Sequence, residues 1–456
     1  MKVKFRTILK SIIFGSIYDL KLMVQHFEFN KIKSEFDVSK NDENIANIAD
    51  KIFHKYSNKF HKTSTLNQNS IGYLATILYN VGGHTACLIN QIKSFHKEFE
   101  SHLFLTMKRN ILLDKDSKNI KIINNLVKIE DVNFLTKKAN YVDSIISLYN
   151  KIIDSRIQIL FLYIHMNDVV SVATISLLRK YTDIKIIFFN HADHLPVLGM
   201  KFSHLIIDAR LAGQNITQEI RGYNNTILMP LQQQKIDETI YFPEIKIKEI
   251  RSQLGIKNDE YFTLTGGHSS KMFEENNSSE YFLMILNLLL AEPKLKHVIM
   301  SEFNDDLSII IDKIFANYSD LKQRLIIIDR VPDFDVYMQA CDLLIDTFPQ
   351  GGALIHLDMM RNKKPTVVKI NKKEPFKSFE FYLPKNYEYM YDNVEEMKVG
   401  ILKLLYSKSE QKIAAEKLYQ YYVDKYEFEI VKAKYRELID NSDNLEQFFG
   451  RNFYEN

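Results

Sequence analysis

Cysteine is scarce in this chain: Cys87 and Cys341 are the only two among 456 residues. Two thiols build neither a disulfide framework nor a multi-cysteine zinc module, so a reducing cytoplasm is the expected compartment. Net charge is also small. Sixty Lys and Arg stand against 57 Asp and Glu, +3 overall, which is too even for polyanion binding through net charge, and no nucleic acid partner is expected. No stretch reaches the ~20 apolar residues of a membrane span. Low-complexity tracts and short-period repeats are missing too, which excludes a solenoid.

What is present is an ordinary globular balance, 46% hydrophobic and 26% charged residues, in a chain long enough for two or three domains. The N-terminus carries Lys2, Lys4, Arg6 and Lys10 ahead of the apolar run from Ile12 to Tyr18. That run is short, stops at Asp19 and has no small-residue cleavage site after it, unlike a signal peptide. It reads as an amphipathic helix packed on the protein, with peripheral contact to an anionic inner membrane leaflet as the alternative.

Residues 1–65 are charged and helical in pattern, and the period then changes. Ile71 to Leu78 is a strand-forming run, halted by Asn80 and Gly82-Gly83 and followed by a helical pattern from Thr85 to His96. The alternation continues through strands near 103–105, 157–163, 184–189, 203–208 and 226–229, with helices near 141–153 and 169–181. A second series has strands near 261–265, 296–300, 325–328, 343–346 and 366–370. Alternating strands and helices imply parallel sheets joined by crossovers. The fold class is therefore α/β, two Rossmann-like halves with an N-terminal helical segment and a C-terminal helical tail. The expected domains are 1–65, 66–235, 236–425 and 426–456.

Ligands of open parallel sheets bind beyond the carboxyl ends of the strands, where helix N-termini hold anions. Four strand-to-helix turns carry chemistry-bearing residues. Gly82, Gly83 and His84 follow the first strand, either as a ligand turn or as a plain tight turn. His191, Asp193 and His194 follow another strand of that half; a carboxylate beside an imidazole suits an oriented general base, a hydrogen-bonded structural turn or partial metal ligation. Gly266, Gly267 and Lys271 follow the first strand of the second half as a candidate anion site, without the spacing of a Walker motif. The fourth turn runs from Asp346 through Gly351-Gly352 to His356 and Asp358, a nucleoside-diphosphate cradle in outline. Asp114-x-Asp116 and Asp333-x-Asp335 have the spacing of a metal-diphosphate motif but read as a surface stretch and a helix start.

The order Arg324-Leu325, Val331-Pro332, Tyr337 to Asp342, Leu343 to Gly352, Asp358 and Pro365 to Val368 resembles the C-terminal half of GT-B glycosyltransferases. Within them it is similar to the O-GlcNAc transferase and bacterial cytoplasmic N-glucosyltransferase group. The likeness covers residues 261–370, and the first half matches in architecture alone. The resemblance implies two Rossmann-like domains facing each other, with the donor on the second. It implies a diphosphate contact for Lys271, base contacts near Arg330 and Val331, pyrophosphate contacts for Gly351 and Gly352, and ribose contacts for Asp358. Where that group has His-Thr-Thr after the turn glycine, this chain has Ala353-Leu354-Ile355, with His356 following.

The function expected is transfer of a sugar from a nucleotide diphosphate sugar, a UDP-sugar first, to a glycan or lipid-linked glycan of a bacterial surface. No cofactor and no metal are expected, since Lys271 and helix dipoles can neutralise the leaving group. His191 is expected to take the acceptor proton, with Asp193 orienting it and His84 as the alternative, and Gly82, Gly83 and His194 would line the acceptor side. A protein acceptor, a non-catalytic GT-B partner that binds glycan or polypeptide, and a sugar-nucleotide epimerase are the competing readings.

Overall fold

The computed structural model describes residues 17–31, 35–62, 65–79, 83–106, 118–127, 132–134, 140–236, 241–274, 278–302, 305–329, 331, 334–374, 377 and 380–455. The chain divides into two compact units, residues 1–232 with 432–456 and residues 233–431.

In the first unit, β1 (Asn67–Ala75), β2 (Glu100–Leu105), β3 (Val132–Phe134), β4 (Ile157–Tyr163), β5 (Lys185–Asn190), β6 (Leu205–Asp208) and β7 (Thr226–Leu228) form one sheet. Their order is β3-β2-β1-β4-β5-β6-β7, and every pairing is parallel. A sheet covered on both faces demands near-continuous apolar strands. β4, Ile-Gln-Ile-Leu-Phe-Leu-Tyr, meets that demand with every residue but Gln158 buried. Gly72 on β1 is a packing requirement: a Cβ there would lie 2.3 Å from Ile157 Cδ1 and 3.0 Å from Leu160 Cδ1 on β4.

Where the sequence pattern divides 1–65 from 66–235, the structure shares one core between them. Leu22, Ile45 and Ile52 from the helices Ile17–Phe29 and Glu35–Lys55 pack with Ile145, Leu148, Val172 and Ile175 of the helices Tyr141–Asp154 and Val169–Tyr181. Two buried carboxylates fasten this layer. Asp19 Oδ1 accepts the Val142 N–H at 2.9 Å, and Asp42 Oδ1 accepts the Gly199 N–H at 2.9 Å. Gly199 has φ +94°, a conformation that favours glycine and turns its N–H to the carboxylate.

The stretch read as a tail, 426–456, is divided as well, because 432–456 belongs to the first unit. Leu228 N–H donates to the Arg451 carbonyl at 3.0 Å, Phe453 N–H to Leu228 at 2.9 Å, and Tyr454 Oη to the Ala209 carbonyl at 2.7 Å. Glu98 pairs with Lys432 and Arg436 on the helix Phe428–Asp440.

In the second unit, β8 (Tyr261–Gly266), β9 (Leu295–Met300), β10 (Leu325–Ile328), β11 (Leu343–Ile345), β12 (Thr366–Lys369) and β13 (Met390–Tyr391) form a sheet in the order β10-β9-β8-β11-β12-β13. All its pairings are parallel too. Phe262, Leu264, Val298, Leu344 and Met359 fill one side. On the other, buried His297 bridges Thr263 Oγ1 and Tyr281 Oη, each at 2.8 Å. Both sheets therefore reverse their winding at one place, between β1 and β4 and between β8 and β11, where an open α/β sheet leaves a crevice beyond its strand ends.

Candidate functional site

At the switch point of the second sheet, the turn after β8 leads into the short 3-10 helix Ser269–Met272. Lys271 Nζ donates to the Gly351 carbonyl at 3.0 Å, and Gln350 N–H donates to the Lys271 carbonyl at 3.3 Å. Lys271 and the Gly351-Gly352 turn, chosen separately in the sequence, are thus brought together. Thr347 Oγ1 donates to the Gln350 carbonyl at 2.7 Å, and Gly351 N–H to the Lys377 carbonyl at 2.8 Å. The helix Leu354–Arg361 follows, and its N-cap, Ala353, offers no side-chain acceptor. The His356 N–H turns back to the Ala353 carbonyl at 3.2 Å, and a helix start with no side-chain cap suits an outside acceptor.

The glycines have a packing role. A Cβ on Gly266 would lie 2.6 Å from Ile355 Cδ1, and one on Gly352 would lie 2.7 Å from Ile355 Cγ2. Gly267 is less constrained, its nearest neighbour being Thr347 Cγ2 at 3.4 Å. His356, expected to face the donor, is instead fully buried, its Nε2 3.1 Å from Asp346 Oδ2. The reason is helical phase, since the third residue of this helix points under the turn rather than out of it. Asp358 remains about a third exposed at 35% and lies 3.2 Å from Arg361, which also reaches Asp335 at 3.1 Å. Val331 is half-buried. Arg330 lies outside the described residues, as do Gly82, Asp114, Asp116 and Asp333.

The first unit gathers three imidazoles at its own switch point. His84 follows β1 on the helix Gly83–Phe95, whose first residue Gly83 is exposed, and His191 follows β5. His165, two residues beyond β4, completes the group. Ring centroids are 4.4 Å apart for His84 and His191, 5.7 Å for His84 and His165, and 6.4 Å for His165 and His191. Tyr79 stacks on His165 at 5.6 Å and its hydroxyl is 3.1 Å from His165 Nε2. His165 is the residue that sequence reading missed. Its signal was positional: like His84 after β1 and His191 after β5, it lies beyond the carboxyl end of a strand of the same sheet.

The tautomer of His84 is fixed, because Nε2–H donates to the Tyr163 carbonyl at 2.8 Å, leaving Nδ1 as a buried lone pair with no hydrogen-bond partner. Burial, with His165 adding repulsion, outweighs that bond and brings His84 to about 4. Burial first, then the rings of His84 and His165, hold His191 well below the ordinary histidine value. His84 and His191 are therefore neutral near pH 7. Asp168 braces it from below. Its Oδ2 accepts from Thr76 at 2.6 Å, from Thr106, and from Ser171 at 2.8 Å, while Thr76 Oγ1 accepts the His165 N–H at 2.8 Å.

Asp193 does not orient His191 as expected. Its carboxylate takes Arg210 in a bidentate pair, Oδ2 to Nε at 2.5 Å and Oδ1 to the guanidinium nitrogen at 2.7 Å. Burial alone would raise this carboxyl, but the bonds from His194 and Arg210 and the guanidinium charge prevail and lower it to about 2. Arg221 donates to the carbonyls of Asp193 and Leu195 at 3.0 and 2.6 Å, so two arginines clamp the 190–195 loop. His194 Nδ1 stays 3.5 Å from Asp193 Oδ1. Among the described residues, no three of His, Cys, Asp and Glu are placed to hold a metal ion, and no helix is long and apolar enough to cross a membrane.

No protein-family model matches the chain, and no curated protein matches it in sequence. Solved structures do resemble it. Anabaena HepE (Alr3699), crystallised with UDP, with UDP and glucose, and with UDP-glucose, has TM-score 0.62 at 13–14% identity over 81–82% of this chain and 99–100% of that one. A glycosyltransferase of Rickettsia africae has TM-score 0.63 at 10% identity over 82% of this chain and 98% of that one. A mutant O-GlcNAc transferase of Thermobaculum terrenum has TM-score 0.54 at 11% identity over 96% of this chain and 80% of that one. At such identities the likeness is one of fold, and the fold of this chain is that of the GT-B glycosyltransferases.

Proposed function

We propose that the protein is a glycosyltransferase that binds a UDP-sugar on its second unit and passes the sugar to a hydroxyl of a glycan acceptor bound by the first. The observation that carries this reading is the Lys271–Gly351 bond of 3.0 Å, which places an ammonium group beside a glycine turn and an uncapped helix at a sheet switch point. That set suits a diphosphate, and the similar HepE protein was crystallised with UDP and UDP-glucose. Asp358, partly exposed on the same helix, is suited to ribose hydroxyls. Lys271 and the helix N-terminus supply positive charge to the departing diphosphate, which supports a reaction without a metal.

His84 is the favoured base, with His191 beside it. As the acceptor oxygen bonds to the anomeric carbon, its proton passes to a neutral imidazole and the bond to the UDP oxygen breaks. The Tyr163 carbonyl holds the ring in the tautomer whose Nδ1 carries no proton. Tyr79, partly exposed, adds aromatic surface beside the imidazoles, which suits the apolar face of a sugar. Contact with an anionic membrane is supported by exposed Ile17 and Phe27 on the first helix and by the basic residues ahead of it.

The test is a thermal-shift panel of nucleoside diphosphates and sugar nucleotides on wild type, Lys271→Ala and Asp358→Ala, since a ligand of the native state raises its stability. A shift with UDP compounds, reduced in both variants, is the expected result. No shift with any nucleotide would overturn the donor reading in favour of a non-catalytic partner, and release of UDP without an acceptor would favour an epimerase.

A further inference from the structure

We propose that Asp346 and His356 are a buried positioning pair through which the second unit sets its affinity for a nucleoside diphosphate, although neither side chain reaches the ligand. The inference rests on the donor-site reading above. Asp346 stands just beyond β11 and His356 is the third residue of the helix after the turn; their side chains are 1% and 0% exposed. One carboxylate oxygen gathers both ends of the turn, Oδ1 accepting the Thr347 N–H at 2.9 Å and the Gly352 N–H at 2.8 Å. The other oxygen, Oδ2, lies 3.1 Å from His356 Nε2, close enough for electrostatic pairing though not aligned as a hydrogen bond. The far ring nitrogen, Nδ1, is 3.4 Å from Thr366 Oγ1 on β12.

These contacts form one continuous path from helix to ligand site. His356 fixes the carboxylate, the carboxylate fixes Gly352, and Gly352 fixes the Gly351 carbonyl that receives the Lys271 ammonium at 3.0 Å. No slack exists at Gly352, where a Cβ would lie 3.2 Å from Asp346 Oδ1. A carboxylate buried this deeply needs a partner of opposite or dipolar character. Without the imidazole, it is relieved only by moving toward water, and that movement carries the turn with it. A diphosphate must meet the turn and the ammonium in one register, so affinity falls when the pair is broken. The sequence places an imidazole here, after the turn, in a chain whose turn has Ala353-Leu354-Ile355 and therefore no hydroxyl contacts of its own.

The experiment is calorimetric titration of UDP into wild type, His356→Leu, His356→Gln and Asp346→Ala, each with its melting temperature. His356→Leu is expected to weaken UDP by about tenfold or more, and Asp346→Ala likewise. His356→Gln restores an N–H donor at similar reach and is expected to stay within about threefold of wild type. A merely structural role would lower all three melting temperatures and leave the affinity of the folded fraction unchanged. Folded His356→Leu with wild-type affinity overturns the pair. If His356→Leu does not fold, Asp346→Ala decides, because it removes the acceptor of both turn N–H groups, and unchanged affinity there overturns the pair equally. Wild type that fails to bind UDP overturns the donor reading, and the pair's role with it.

Discussion

Asp19, 1% exposed, holds the N–H of Val142 on Oδ1 at 2.9 Å, so the first described helix caps the start of another that lies more than a hundred residues further along the chain. Asn140 caps the same helix through the Asp143 N–H at 2.8 Å. Because the Asp19 bond is buried, Asp19→Ala is expected to cost about 1–3 kcal/mol, and the more exposed Asn140→Ala about 0.5–2 kcal/mol. Urea unfolding of both variants checks the order; a larger loss from Asn140 would show that the N-terminal helix docks by apolar contacts alone.

Asp42 predicts an unusual response to pH. Burial, opposed by the Gly199 N–H and Lys201, raises its carboxyl from 3.8 to about 8, and its Oδ2 has no hydrogen-bond partner. The folded chain thus keeps a proton that the unfolded chain releases. Its contribution is fully present below pH 3.8 and is lost as pH rises toward 8. Asp42→Asn keeps an acceptor for Gly199 and removes the titration, so it should gain on wild type at up to about 1.4 kcal/mol per pH unit across that window. Melting temperatures of the two proteins at several pH values between those limits test this; parallel curves would contradict it.

Arg210 and Asp193 form a pair with side chains 2% and 10% exposed. Replacing one partner leaves a buried charge, and Arg210→Met is expected to cost about 3–5 kcal/mol. Asp193→Asn should lower stability while the proposed sugar transfer by the folded fraction is unchanged, since the carboxylate serves Arg210. A large fall in turnover with normal stability would return Asp193 to the role of orienting His191.

The histidine cluster makes the fourth prediction. His84 is lowered from 6.5 to about 4, so it contributes stability above pH 6.5 that is lost as pH falls through 4. If His84 is the base, the acid limb of kcat/KM for sugar transfer lies near pH 4 rather than 6.5, and His84→Gln lowers kcat by about 10²–10⁴-fold with little change in donor KM. An acid limb near 6.5 that survives in His84→Gln would move the role to another group.

Much of this was legible in the sequence because buried parallel strands advertise themselves. Ile157 to Tyr163 reads as a strand and is β4 throughout, and Val169 to Tyr181 reads as a helix and is one. β3, Val-Asn-Phe, and β13, Met-Tyr, were not legible, being edge strands too short for any period to show. Lys271 and Gly351 could be chosen separately by their turns, but nothing local says that they bond. Asp193 beside His191 looked like a catalytic dyad because sequence proximity hides direction; Arg210, seventeen residues on, takes the carboxylate. His356 had the right chemistry at the wrong helical phase. His165 escaped because it stands alone among apolar and polar neighbours, with no glycine to mark its turn.

The return of residues 432–456 to the first unit has a consequence for synthesis. As the chain leaves the ribosome, β7 is made long before Asn452, its bridging neighbour beside Leu228, and the whole of 233–431 emerges in between. The half made first is therefore completed late, its edge strand waiting on residues beyond 431. A truncation that removes residues 432–456 would spare the sheet of the second unit and leave that of the first with an open β edge.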